Sequence, residues 1–524
     1  MIHDFTSSYL SRSLAFDKPA TISARGVVAS QNRAASEVGV RVLRDGGNAI
    51  DAAVATALAL TVVEPWMSGL AGGGALLFYS VKTGSIKVVD FSMLAPGGLD
   101  PASYGLTGSR DTDLFGWPKV VDNRNLLGAP SVAVPGVVAG LSLALAEFGS
   151  RSWAEMMHPA VELARKGLEV DWYTTLAIAH AVSDLQKFPA STADFLRGGQ
   201  APLPATATPD GRPLHLPRER LLATMERLAQ VGPRDFYEGE IAASMVADMQ
   251  AEGGYLSMND LRRYQARIVE PAEFSYRGQR VYVAPGLNGG PTLLAALNQL
   301  SRRYTPGAAI NAETFVAHAG SLHAAWQERL STMGEHGGES CTTHLSVVDA
   351  EGNMVALTQT LLSIFGSRLT LPQSGLLMNN GIMWFDPVPG RPNSIGAGKQ
   401  PLANFCPTLL LGEKGNYALG GSGGRKILPA VFGIISFLID HDLSLGDAMS
   451  RPRIDVSGNH WITADSRLPR ETLQALAQVL PVVQADRTVL PINFTIATGI
   501  SDRNGEKSGA VEPGMPWGEA VGVS

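Results

Sequence analysis

The sequence predicts a mixed α/β fold, and three observations carry that expectation. Helical and extended patterns alternate along 524 residues without an internal repeat, a low-complexity tract or a long charged run. Hydrophobic residues make up 45% of the chain and charged ones 17%, so there is material for a large core and no compositional mark of disorder. Cys341–Asn353 reads as a strand, a tight turn and the start of a second strand, with alternating apolar residues on either side of Asp349-Ala350-Glu351-Gly352-Asn353.

The helical elements follow from spacing and punctuation. Ala49–Val63 is rich in alanine and apolar residues, begins after Gly46-Gly47-Asn48 and stops before Pro65, which predicts a buried helix of about four turns. Trp153–Arg165 and Arg220–Leu228 are amphipathic, and Phe315–Leu330 has apolar groups at helical spacing, so all three read as packing helices. Dense glycine and proline between residues 385 and 407 marks a loop, which from composition alone either lines a pocket or connects through solvent. Gly198–Pro217 reads as a surface excursion.

Composition excludes several function classes. The formal net charge of −6 is small for this length and gives no basic field for nucleic acid or anionic lipid. Cys341 and Cys406 are the only cysteines, too few for a disulfide framework or a multi-cysteine metal site. The histidines lack a ligand spacing; His318 and His323 are five apart and share no helix face, so neither metal nor cofactor is expected. The first 25 residues hold no apolar core of a secretory signal, and the longest apolar run, Ile427–Ile439, is too short to span a bilayer and carries a proline. A cytoplasmic, soluble protein is expected.

The chemistry concentrates at Thr342. A Thr-Thr pair ahead of alternating apolar residues is ordinary strand material. If the bond before Thr342 is cut, however, that residue gains an α-amine beside its own hydroxyl. With a reference pKa of roughly 7.7–8, such an amine is partly unprotonated near neutrality and can take the hydroxyl proton.

An ordered series of motifs supplies the context. It comprises Gly26-Val27-Val28-Ala29-Ser30, Gly46-Gly47-Asn48-Ala49-Ile50-Asp51, Leu70-Ala71-Gly72-Gly73-Gly74, Val134-Pro135-Gly136-Val137, Tyr276-Arg277-Gly278 and Gly289-Gly290. After the Thr342 segment come Gly375-Leu376-Leu377-Met378-Asn379-Asn380, Pro407-Thr408 and Gly420-Gly421-Ser422-Gly423-Gly424. From about residue 26 to 515 the chain resembles the γ-glutamyltransferase family, whose proenzymes cut themselves before such a threonine. The resemblance implies an α+β fold, the αββα four-layer sandwich of N-terminal-nucleophile hydrolases. It also implies two autoprocessed chains, 1–341 and 342–524, which together form one folded unit, with a higher oligomer open.

Within the resemblance, Thr342 is the nucleophile and Cys341 supplies the carbonyl cut in maturation. Thr360, on the returning strand, matches the threonine that hydrogen-bonds the nucleophile, and Gly423 and Gly424 match the pair whose N–H groups hold the oxyanion. Thr343 and His344 fall in supporting positions. The contacts to a free amino-acid head are all changed. The family's arginine falls on Ser92, its asparagine on Leu362, its acid-bearing pair on Gly381 and Trp384, and its serine pair on Ala403-Asn404. A charged head placed there without its partners costs several kcal/mol.

This profile is most similar to the bacterial oxamate amidohydrolase branch, which releases ammonia and oxalate in purine degradation, with Asn404 and Ser92 as candidate carboxylate contacts. The alternatives are a true γ-glutamyltransferase or glutathione hydrolase, another acylase, or a non-catalytic binding protein on the same fold.

Overall fold

In the computed structural model, which describes residues 2–3, 18–110, 118–205, 213–334, 341–490 and 492–524, two seven-stranded antiparallel sheets form the centre. Their strands in chain order are β1 (Thr21–Ser23), β2 (Gly26–Ser30), β3 (Gly73–Ser80), β4 (Ser85–Phe91), β5 (Arg267–Val269), β6 (Ala272–Tyr276) and β7 (Gln279–Val283). There follow β8 (Cys341–Asp349), β9 (Met354–Leu362), β10 (Thr408–Gly412), β11 (Asn416–Ser422), β12 (Ile496–Arg503), β13 (Glu506–Val511) and β14 (Glu519–Gly522). One sheet runs β5-β4-β3-β9-β8-β2-β14 and the other β6-β7-β10-β11-β12-β13-β1. Each takes strands from both sides of the Cys341–Thr342 bond.

The alternation of β8 builds the layers. Leu345 and Val347 join a core shared with the helices α1 (Arg33–Arg44), α2 (Ala49–Val63), α3 (Val137–Phe148), α4 (Trp153–Lys166) and α6 (Glu219–Val231); α5 (Trp172–Leu185) packs in a separate cluster near Cys341. Val348 points the other way, into a core where Ala356 and Leu77 meet Leu409, Ala418 and Ile500 of the second sheet. That sheet is covered by α7 (Gly290–Arg303), α8 (Ala312–Thr332) and α9 (Ile427–Asp440). The result is an αββα sandwich, the architecture expected.

The predicted helices form, and their ends are set by caps. Asn48 accepts from the N–H groups of Ile50 and Asp51 while Asp51 accepts from Asn48 N, so α2 spans Ala49–Val63 as its pattern requires. It is apolar all round because it is buried between β8 and the neighbouring helices. The other three run past their apolar periodicity, to Trp153–Lys166, Glu219–Val231 and Ala312–Thr332; Asn311 caps the last by accepting from Thr314 N. The apolar run Ile427–Ile439 is α9, entirely buried against the second sheet.

The 385–407 segment is indeed irregular, but its flanks are not an exposed connector. Phe385, Leu402 and Phe405 are buried in the molecule, and Asn393 ties the segment together by donating to Trp384 O and accepting from Leu402 N. The 198–217 excursion contributes a short strand, Leu214–Leu216, paired with Leu168–Val170; residues 206–212 of it lie outside the described residues. Cys341 and Cys406 are both buried, and neither forms a disulfide. Among the described residues no helix is long and apolar enough to cross a membrane, and no group of three or more His, Cys, Asp or Glu side chains could hold a metal ion.

Candidate active site

A register slip places the two threonines. Cys341 lies opposite Leu362 while Thr343 lies opposite Gln359, so Thr342 alone faces both Thr360 and Leu361. Thr342 Oγ1 donates to Thr360 Oγ1 at 3.5 Å, the outer limit of such a bond. Thr360 Oγ1 accepts from Leu362 N at 2.7 Å and donates its own proton to Cys341 O. One hydroxyl therefore touches both the attacking oxygen and the carbonyl that it would attack.

The surroundings hold that geometry tightly. A Cβ on Gly72 would stand 2.3 Å from Thr360 O, and one on Gly74 2.1 Å from Thr358 O, so the glycine run lets the backbone close on β9. Beyond β9 the chain turns through Leu362 at φ 92° and Phe365 at φ 56°, conformations that non-glycine residues rarely adopt. Bonds from Leu361 N to Met67 O, from Phe365 N to Trp66 O and from Ser363 N to Asn380 Oδ1 fix the turn from outside.

The glycine pair comes from the facing sheet. Ser346 Oγ donates to Ala418 O, and a Cβ on Gly420 would stand 2.2 Å from His344 Cε1, so β8 and β11 run past each other in steps of two residues. Ser422 ends β11, directly before Gly423 and Gly424. Gly423 has φ 135° and Gly424 φ 63°, and the pair leads into the N-terminus of α9. N–H groups at a helix start point outward and favour negative charge.

The residues at the positions matched to an amino-acid head are mostly buried and apolar. Met93, Leu362, Trp384, Ala403 and Phe405 belong to one cluster, with the Trp384 and Phe405 rings 6.2 Å apart. Gly381 is packed so closely that a Cβ would stand 2.6 Å from Ala133 and 3.1 Å from Met93 Sδ. Asn404 is buried; its Oδ1 accepts from Arg329 Nη2 at 3.2 Å, and its Nδ2 has no hydrogen-bond partner among the described residues. Arg329 also donates to Asn288 O and Ala403 O at 2.7 Å each, and burial together with the neighbouring Arg425 charge pushes its pKa down to about 9. Trp384 Nε1 is a second buried N–H without a partner. Ser92 does not offer its proton, because its hydroxyl donates to Asp90 Oδ1 at 2.7 Å.

Thr343 and His344 take different parts. His344 sits between the sheets, bonded to Thr358 Oγ1 at 2.8 Å and Ser346 Oγ at 3.1 Å, and burial pushes its pKa down to about 3, so it is a neutral packing group. Thr343 Oγ1 donates to Glu64 Oε2 at 2.8 Å. Glu64 is absent from the sequence-based site. Its local signal was a glutamate closing an apolar helix directly before proline, which reads as a helix stop and nothing more.

Comparison with known proteins identifies the family. The gamma-glutamyltranspeptidase family profile matches residues 35–336 and 312–515. The chain is 33% identical to the acylase ACY 1 proenzyme of Pseudomonas sp. (strain V22), over 91% of this chain and 90% of that one. It is 30% identical to the glutathione hydrolase proenzyme of Escherichia coli (strain K12), over 85% and 83%. In fold it is similar to the cephalosporin acylase of Bacillus halodurans, at a TM-score of 0.83 with 23% identity over 98% of each chain. With its paired threonines at the head of a sandwich strand, this chain belongs to the gamma-glutamyltranspeptidase family and is an amide-bond hydrolase of the N-terminal-nucleophile type.

Proposed function

We propose that the protein cuts itself between Cys341 and Thr342 and then uses Thr342 to hydrolyse an amide whose acyl group carries acceptor oxygens but no α-ammonium. In maturation, Thr342 Oγ1 attacks the Cys341 carbonyl carbon, the C–N bond breaks as the nitrogen takes up the proton, and water hydrolyses the resulting ester. In turnover the freed amine takes the hydroxyl proton as Thr342 Oγ1 attacks the substrate amide carbon and Gly423 and Gly424 stabilise the oxyanion; the C–N bond breaks as the leaving nitrogen takes that proton, and water hydrolyses the acyl-threonine ester.

The observation that carries the substrate class is the chemistry of the buried residues at the positions matched to the amino-acid head. Leu362, Gly381 and Trp384 stand where an amino-acid head would need polar and acidic partners, and the packing around Gly381 leaves no room for a side chain. Two buried N–H donors without partners, Asn404 Nδ2 and Trp384 Nε1, suit carbonyl or carboxylate oxygens. Oxamate, yielding oxalate and ammonia in purine degradation, is the smallest substrate of this class. The acylase relatives favour a larger acyl group, and the glutathione hydrolase relatives supply the competing γ-glutamyl reading.

A comparison of three substrates on the matured enzyme tests this. Glutaryl anilide differs from γ-glutamyl anilide only by the missing ammonium, and kcat/KM for it is expected to exceed the γ-glutamyl value at least about a hundredfold, since a charge left without its partner costs several kcal/mol. Ammonia release from oxamate decides between the smallest acyl group and a larger one. Equal or better turnover of γ-glutamyl anilide overturns the substrate class and leaves the threonine chemistry intact.

A further inference from the structure

Glu64 is the buried acid nearest the chemistry, and the steps above do not use it. It caps the C-terminal end of α2, is 1% exposed, and has no ion pair among the described residues. Oε2 accepts from Thr343 Oγ1, and Oε1 is buried without a hydrogen-bond partner among the described residues. Low dielectric and the negative end of a helix disfavour its charge, and only the one hydrogen bond from Thr343 favours it. Burial accordingly pushes its pKa up to about 8, so in the uncut chain it is a neutral acid at pH 7. Tyr173 of α5 senses both Glu64 and Cys341, and burial keeps it neutral as well.

We propose that Glu64 is a positioning residue for the nucleophile, the counter-group that shares one proton with the Thr342 α-amine once the chain is cut. This rests on the proposed self-cleavage before Thr342. Cutting creates an amine one residue from Thr343, whose side chain already holds the carboxyl. The transfer balances: Glu64–COOH and Thr342–NH2 become Glu64–COO⁻ and Thr342–NH3⁺, with no proton gained from outside. The state competent for acyl transfer has lost the shared proton to solvent, leaving Glu64–COO⁻ beside Thr342–NH2; the amine then gains the hydroxyl proton, and the carboxylate stabilises the ammonium so formed. Thr343 fixes the carboxyl, which acts through it rather than on substrate.

Two groups then titrate as a coupled pair, and the acid limb of the kcat/KM profile belongs to both. An anionic neighbour raises an amine's pKa, so Glu64→Gln is expected to move that limb to lower pH, by on the order of one unit. Glutamine imitates the neutral acid, so the variant still cuts itself. Thr343→Val removes the bond that favours the carboxylate, and moves the limb in the same direction by less. It carries the test if Glu64→Gln does not fold.

A limb that stays where the wild type has it overturns the proposal, as does a folded Glu64→Gln chain that remains uncut. Sequencing the wild-type fragments first separates the two readings. A small chain that does not begin at Thr342 removes the proposed function before any pH profile is measured.

Discussion

Thr342→Ala is expected to remain a single chain of 524 residues and to lose turnover by on the order of 10⁶-fold, the scale seen when a nucleophile acting in a concerted group is removed. Alanine has no oxygen to attack the Cys341 carbonyl, so the acyl shift cannot begin and no α-amine forms. The hydroxyl is also the one that Thr360 holds 3.5 Å away, and no other nucleophile occupies that position. Mass spectrometry of the wild type should give fragments corresponding to 1–341 and 342–524. Thr342→Ser keeps both hydroxyl and amine and should cut and turn over. An alanine variant that is cut at the same bond, or that retains activity, removes Thr342 from the mechanism.

Gly423→Val should slow turnover of the matured enzyme by about 10²–10³-fold, the usual consequence of losing one oxyanion donor, worth about 2.7–4 kcal/mol. The cause is conformational. At φ 135° an L side chain is strained, and its Cβ would stand 3.4 Å from Thr495 Cα, so the backbone must rotate and turn its N–H away. Gly424, at φ 63°, sits next in the chain and shifts with it. Circular dichroism and thermal unfolding establish that the variant is folded. A folded Gly423→Val enzyme with wild-type kcat excludes this glycine from transition-state stabilisation.

Local pattern made much of this structure legible. α2 could be placed to the residue because its cap, its apolar run and Pro65 all agree, and the β8–β9 hairpin because its turn and alternation coincide. The long glycine series located Thr342, Thr360 and the Gly423-Gly424 pair within the family pattern. The rest depends on contacts remote in sequence. The hydrogen bond from Thr343 to Glu64 spans 279 positions, and the packing that excludes a side chain at Gly381 comes from Ala133 and Met93. Ser92 is a different case: Asp90, only two positions before it, takes its proton, a local bond that its own segment permits and that matching to the family pattern does not reveal. The slip that sets Thr342 against Thr360 is likewise invisible until the strands are paired.

Each central sheet is woven from strands on both sides of the Cys341–Thr342 bond, and this changes what the cut does to folding itself. In the first sheet β8 lies between β9 and β2, and in the second β10 joins β7 to β11, so neither fragment contains a complete sheet. The intact precursor finds its fold as one molecule, at a rate independent of concentration. Once cut, the same native contacts must be rebuilt from two strangers in solution, each exposing unpaired strand edges while it waits. With the cut proposed above, maturation would work as a ratchet: the covalent bond would guide the chain to the native state without being required to keep it, and the lifetime of the cut enzyme would be governed by how slowly it unfolds.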